Sequence, residues 1–151
     1  MKSSPRRFEV RERVRWSDID SAGIIYFGAY VRFVEIAESE LYRELGFTYA
    51  DFDRLGMWLP KVHLEFDFFS PAVLDDELLL ATAIGEIGAS SVRMHVDVRN
   101  AKEANLLAEA TLVSACIDRE RQSLALPALL ASALRASAGD PDGRTSAISR
   151  A

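Results

Sequence analysis

Residue types and spacing that can support chemistry concentrate in Ser17-Asp18-Ile19-Asp20-Ser21-Ala22-Gly23. A carboxylate placed between a strand and a helix start meets backbone N–H groups that have no intrahelical acceptor, and such donors stabilise an oxyanion. The next residues, Gly23-Ile24-Ile25-Tyr26-Phe27-Gly28, are mainly apolar and would keep water from competing. A carboxylate held beside a carbonyl bound there can attack it or activate a water. That is acyl-transfer chemistry without a histidine. The alternative is structural, because Asp and Ser before a helix commonly cap its N-terminus. Two aspartates one residue apart cannot both cap the same start, so one of Asp18 and Asp20 is left over.

Other chemistries fit poorly. A nucleophilic triad needs a histidine base, and the chain has only His63 and His95, both on the charged side of alternating segments. The lone Cys116 lies in an apolar run, where burial makes a thiol inert, and it excludes internal disulfides and multi-cysteine zinc sites. There is no glycine-rich phosphate loop and no nucleophile elbow. Asp18 to Gly23 superficially matches the start of a calcium loop, but Ala22 and Ala29 stand where the fifth and twelfth ligands belong. No metal and no cofactor is expected.

The elements around this segment follow from hydrophobic period. Phe8 to Trp16 alternates apolar and charged residues, as a strand with one wet face does. Tyr30, Phe33, Val34, Ala37, Leu41 and Leu45 recur at three- and four-residue intervals, with Arg32, Glu35, Glu38, Glu40 and Arg43 between them. This predicts an amphipathic helix of about four turns closed by Gly46. A short helical turn is expected from Tyr49 to Leu55. Period 2 then returns: Val62 to Phe68, Glu77 to Ile87, Val92 to Arg99 and Leu106 to Asp118 read as strands, and their short connections suggest an antiparallel meander. Pro127 to Leu134 is a candidate closing helix. One long helix and about five strands make an α+β domain over residues 1–134, with 135–151 expected as a flexible C-terminal tail.

Size and charge narrow the function classes. A 151-residue chain with 49% hydrophobic and 27% charged residues can bury its own core and matches neither a disordered nor a fibrous composition. Its net charge of −5 disfavours broad capture of nucleic acid, although the first fifteen residues carry six basic side chains against Glu9 and Glu12. No apolar run reaches a membrane-spanning length and the start lacks an apolar signal core, so a cytoplasmic protein without membrane partners is expected.

The stretch Val14-Arg15-Trp16-Ser17-Asp18-Ile19-Asp20-Ser21-Ala22-Gly23-Ile24-Ile25-Tyr26-Phe27-Gly28-Ala29-Tyr30, continuing through Glu35, resembles the hotdog-fold thioesterases, in the group of 4-hydroxybenzoyl-CoA thioesterase and related acyl-CoA thioesterases. Weaker echoes at Leu59-Pro60-Lys61-Val62 and Ser70-Pro71-Ala72 extend the resemblance over roughly Phe8 to Leu134. It implies a sheet wrapped around one helix, with Asp20 as catalytic nucleophile or general base on a CoA thioester. The backbone N–H of Phe27 would polarise the carbonyl, and Asp18 would be structural or supporting. It also implies a homodimer or homotetramer with its site at the subunit interface and surface basic groups holding the CoA phosphates. Short-chain members often carry histidine at the position of Phe27, whereas aromatic residues there accompany aryl or polyketide thioesters. With Tyr26, Tyr30 and Trp58 as candidate substrate contacts, an aromatic or medium to long acyl group is favoured; packing in a core or interface is the ordinary alternative for such rings. Rival readings are a thioesterase for acyl groups on a carrier protein and a non-catalytic acyl-binding module.

Overall fold

The alternating start folds into strand β1 (Arg7–Arg13), which buries Phe8 and turns Arg7, Glu9, Arg11 and Arg13 to water. The chain is described here from a computed structural model covering residues 5–138. β1 stops short of the expected Trp16. Val14 instead turns into the core, its N–H donating to Asp76 O at 2.9 Å and its carbonyl accepting from Asp75 N–H at 3.2 Å. Trp16 then begins a 3-10 turn with its ring exposed.

Helix α1 (Tyr30–Glu44) buries Tyr30, Phe33, Val34, Ala37 and Leu41 as one stripe. Gly46, at φ +93°, takes the left-handed turn that ends it, and Phe47 N–H closes on Tyr42 O at 2.8 Å. The expected short turn is helix α2 (Tyr49–Arg54), capped reciprocally by Thr48 and Asp51.

Four more strands follow: β2 (Lys61–Phe68), β3 (Glu77–Ile87), β4 (Ser91–Asn100) and β5 (Leu106–Ala115). All pairings are antiparallel and the order is β1-β3-β4-β5-β2. The sheet is therefore only partly the expected meander: β3-β4-β5 run consecutively, while β2 crosses to the far edge beside β5. Two consequences follow for β2. One edge of its backbone pairs with β5 and the other is open. Its apolar face leaves Val62 64% and Phe68 50% exposed.

The core lies between sheet and helices, with Phe33, Leu41, Leu78, Leu80, Met94, Leu112 and Leu130 fully enclosed. Helix α3 (Ala128–Ser137) joins this core through Leu130, Ala131 and Leu134, and with Ser137 also buried it continues past the expected boundary at 134. Residues 139–151 of the expected tail lie outside the described residues.

Candidate active site

Residues 18–26 form a small closed loop ahead of α1. Ile19 bridges Ile25, Asp20 N–H donates to Ile24 O at 3.0 Å, and Gly23 N–H donates to Asp20 O at 3.0 Å. Gly23 sits at φ +78°, a conformation that disfavours any side chain. The arms are further tied by Tyr26 N–H to Asp18 O at 3.1 Å, and Ile25 N–H reaches Ala72 O at 3.0 Å. Phe27–Ala29 make a 3-10 turn that feeds directly into α1.

The two aspartates have different surroundings. Asp18 is buried; its carboxylate accepts Arg15 N–H at 2.8 Å and Arg32 Nε at 2.9 Å, with a second bond to Arg32 Nη2. Burial alone would push its pKa up, but the Arg32 and Arg15 hydrogen bonds and their positive charges hold it below the usual carboxylate range. Arg32 thus clamps the loop to the first turns of α1, and it also lies over the Phe33 ring at 4.5 Å. Because the folded Asp18 is the stronger acid, its contribution is present above the ordinary carboxylate pKa and is lost as pH falls through the lower folded value. Arg32→Met strands a buried carboxylate, and we expect it to cost about 3–5 kcal/mol in thermal denaturation at neutral pH. Mildly acidic buffer should relieve part of that loss, since protonation removes the unpaired charge.

Asp20 is exposed at the loop tip, with Oδ1 accepting Ala22 N–H at 2.8 Å. It is therefore the aspartate left over from structural pairing. At the helix start, the N–H groups of Phe27 and Gly28 donate to no acceptor among the described residues. Phe27 borders a cavity of about 350 Å³, lined also by Ile24, Ile25, Tyr30, Phe68 and Phe69 with Ser70 and Pro71. The rings of Tyr30, Phe66 and Phe68 pack together on one side, Tyr30 and Phe68 at 5.0 Å between centroids. The expected apolar shield is only half present in one chain: Phe27 is 81% exposed and Asp20 faces outward.

Among the other candidates, Tyr30 lines this cavity. Tyr26 is partly exposed beside it and contributes no lining atom. Trp58 pairs through its backbone with Ile117, at the end of β2 opposite Phe68. Seven residue steps along the strand separate Lys61 from Phe68, about 23 Å, so within one chain Trp58 stands apart from the Asp20 loop. His63 contacts Glu65 at 2.9 Å and His95 contacts Thr111 at 3.0 Å, both on the exposed surface. Burial raises the pKa of Cys116. The sequence reading missed Arg32 and Glu38 as working residues. Glu38 is buried and its Oε1 meets Lys61 Nζ at 2.7 Å.

The chain is similar to known proteins over most of its length. Residues 14–136 match the thioesterase-like superfamily. The chain is 32% identical over 108 residues to the acyl-CoA thioester hydrolase YbgC of Escherichia coli, spanning 70% of this chain and 78% of that protein. It is 30% identical over 122 residues to the 1,4-dihydroxy-2-naphthoyl-CoA hydrolase of Synechocystis, spanning 80% and 88%. The crystal structure of a 1,4-dihydroxy-2-naphthoyl-CoA thioesterase from Synechocystis superposes with a TM-score of 0.80 at 28% identity, covering 85% of this chain and 96% of that one. With that match across most of its length, and with its antiparallel five-stranded sheet and long helix, the chain belongs to the thioesterase-like superfamily and is a hotdog-fold thioester hydrolase.

Proposed function

We propose that the protein hydrolyses acyl-CoA thioesters at the start of α1, with Asp20 as the reacting carboxylate and the Phe27 N–H as the oxyanion donor. The observation that carries this reading is the unpartnered Phe27 N–H at a residue that lines an apolar cavity, just after a bridged loop that holds an aspartate no ion pair occupies. A thioester carbonyl seated there gains a hydrogen bond that strengthens as negative charge develops on its oxygen. Asp20 then either attacks the carbonyl carbon, displacing CoA thiolate and leaving an anhydride for water to open, or takes the proton of an attacking water. Both routes end in free acid and CoA. A free carboxylate at position 20 argues against a non-catalytic binding module. The net charge of −5 argues against an acidic carrier protein as partner. The cytoplasmic setting expected from the sequence remains part of the proposal; no helix among the described residues is long and apolar enough to cross a membrane.

The working form in this proposal is a homo-oligomer built on β2. An open edge with an apolar face is a pairing surface. A two-fold axis across it would pair β2 antiparallel with its copy, extending the sheet and covering the cavity. That pairing also carries the Trp58 end of each chain toward the helix start of the other, which restores a place for Trp58 in the pocket.

The aromatic lining and the volume of about 350 Å³ suit an aryl or medium to long acyl group. Free-thiol release from a panel of CoA thioesters tests this. We expect aryl and medium-chain substrates to give kcat/KM roughly ten-fold or more above acetyl-CoA, in line with the burial of several methylenes. Equal rates across the panel would contradict the pocket assignment.

A further inference from the structure

Tyr26 contributes no atom to the lining of the cavity at the start of α1, and its ring has another place. One edge of the ring occupies the space beside Gly28: a β-carbon at residue 28 would stand 3.0 Å from Tyr26 Cε2 and 3.4 Å from Cδ2. Gly28 is exposed, and apart from its chain neighbours no other side chain comes within 4 Å of that position among the described residues. The backbone does not demand glycine there. Gly28 lies outside the left-handed region that Gly23, Gly46 and Gly56 occupy, and at such a position alanine ordinarily stabilises a folded chain. The Tyr26 ring is what excludes a side chain from residue 28.

The main chain of Tyr26 is tied on both sides. Its N–H donates to Asp18 O at 3.1 Å, and its carbonyl accepts Ala29 N–H at 3.0 Å. Asp18 is in turn fixed to α1 by Arg32. Tyr26 therefore grips the turn at three points, and two of them lie beyond the amide that joins it to Phe27. That amide carries the Phe27 N–H. Its direction is set by ψ of Tyr26, 153°, and by φ of Phe27, and both torsions resist change while the ring sits on Gly28 and the carbonyl on Ala29.

We infer that Tyr26 is a positioning residue: its ring, seated on Gly28, holds the Phe27 N–H in the direction a thioester oxygen needs, without touching the substrate. The inference rests on the reading of that N–H as the oxyanion donor given above. A hydrogen bond that strengthens as charge develops depends steeply on alignment, so loosening the turn lowers kcat and leaves KM nearly unchanged. Loss of a ring that contacted the substrate in ground and transition state alike would raise KM instead.

The test is a double-variant cycle in the full chain, assayed by thiol release from benzoyl-CoA or decanoyl-CoA, whichever wild type hydrolyses faster. We expect Tyr26→Ala to lower kcat roughly ten- to a hundred-fold, and Gly28→Ala, which only pushes the ring aside, roughly three- to ten-fold. Gly28→Ala should do so without a fall in melting temperature. With the ring gone the new methyl meets no obstacle, so Tyr26→Ala/Gly28→Ala should be no slower than Tyr26→Ala. Tyr26→Phe keeps the packing edge and should recover most of the rate that Tyr26→Ala loses. Effects that multiply in the double variant overturn the positioning role, as does wild-type kcat in either single variant or a Tyr26→Ala loss that lies in KM. Tyr26→Phe as slow as Tyr26→Ala overturns it too, as does a Tyr26→Ala protein that sediments as a smaller species, which makes the ring an intersubunit contact. Asp20→Asn assayed beside them separates the two readings. Near wild-type turnover there overturns the active-site assignment whatever the cycle gives, whereas an inactive Asp20→Asn with multiplying effects overturns the role of Tyr26 alone. No turnover of either acyl-CoA by wild type overturns both.

Discussion

Asp20→Asn should abolish nearly all thioester hydrolysis, lowering kcat by roughly a thousand-fold or more while leaving fold and assembly intact. The amide keeps the shape and can still accept Ala22 N–H, which is the only side-chain bond Asp20 makes among the described residues. What it loses is nucleophilicity and basicity. Asp18→Asn provides the internal comparison. Asp18 holds Arg15 N–H and the Arg32 guanidinium, so its replacement should lower the melting temperature more than Asp20→Asn and the rate less. Steady-state thiol release and thermal denaturation on the same two preparations check the ranking. If Asp18→Asn were the slower enzyme and Asp20→Asn the less stable protein, the roles would be exchanged.

Placing two lysines on the open edge, Val62→Lys with Leu64→Lys, should separate the protomers and reduce hydrolysis by roughly a hundred-fold, the cost of a site no longer held in register. Both side chains lie on the exposed apolar face of β2, so the folded chain loses little by the change. Analytical ultracentrifugation should show the smaller species, and circular dichroism should show the strand and helix content retained. A variant that remains an oligomer with full activity would mean that assembly uses another face. The prediction arises from the half-built state of the cavity: one chain supplies the oxyanion donor and the aromatic wall, but nothing over Phe27 or Asp20.

Periodicity carried most of the secondary structure because each element has one buried face. The stripe Tyr30, Phe33, Val34, Ala37, Leu41 reads as α1, and Gly46 ends it, since short-range packing and a left-handed cap are written in local sequence. Strand order was not legible. β2 has the same alternation as an interior strand, and nothing local distinguishes pairing with β5 from pairing with β3. The Asp-x-Asp pair could be read as one structural and one spare carboxylate, but which was which depended on Arg32, fourteen residues away in sequence, reaching back to Asp18. Glu38 left a fainter mark. It stands four residues after Val34 and three before Leu41, inside the apolar stripe, and its partner Lys61 lies on a strand that sequence could not dock against the helix.

Asp20 and the Phe27 N–H are tested most directly by a crystal structure with a CoA analogue in which a methylene replaces the thioester sulfur, so that the carbonyl survives. We expect the carbonyl oxygen about 3 Å from the Phe27 nitrogen, with the Asp20 carboxylate facing the carbonyl carbon and a second copy of the chain closing the cavity over β2. A carbonyl bound away from the start of α1, or an Asp20 carboxylate turned to bulk solvent in the complex, would contradict it.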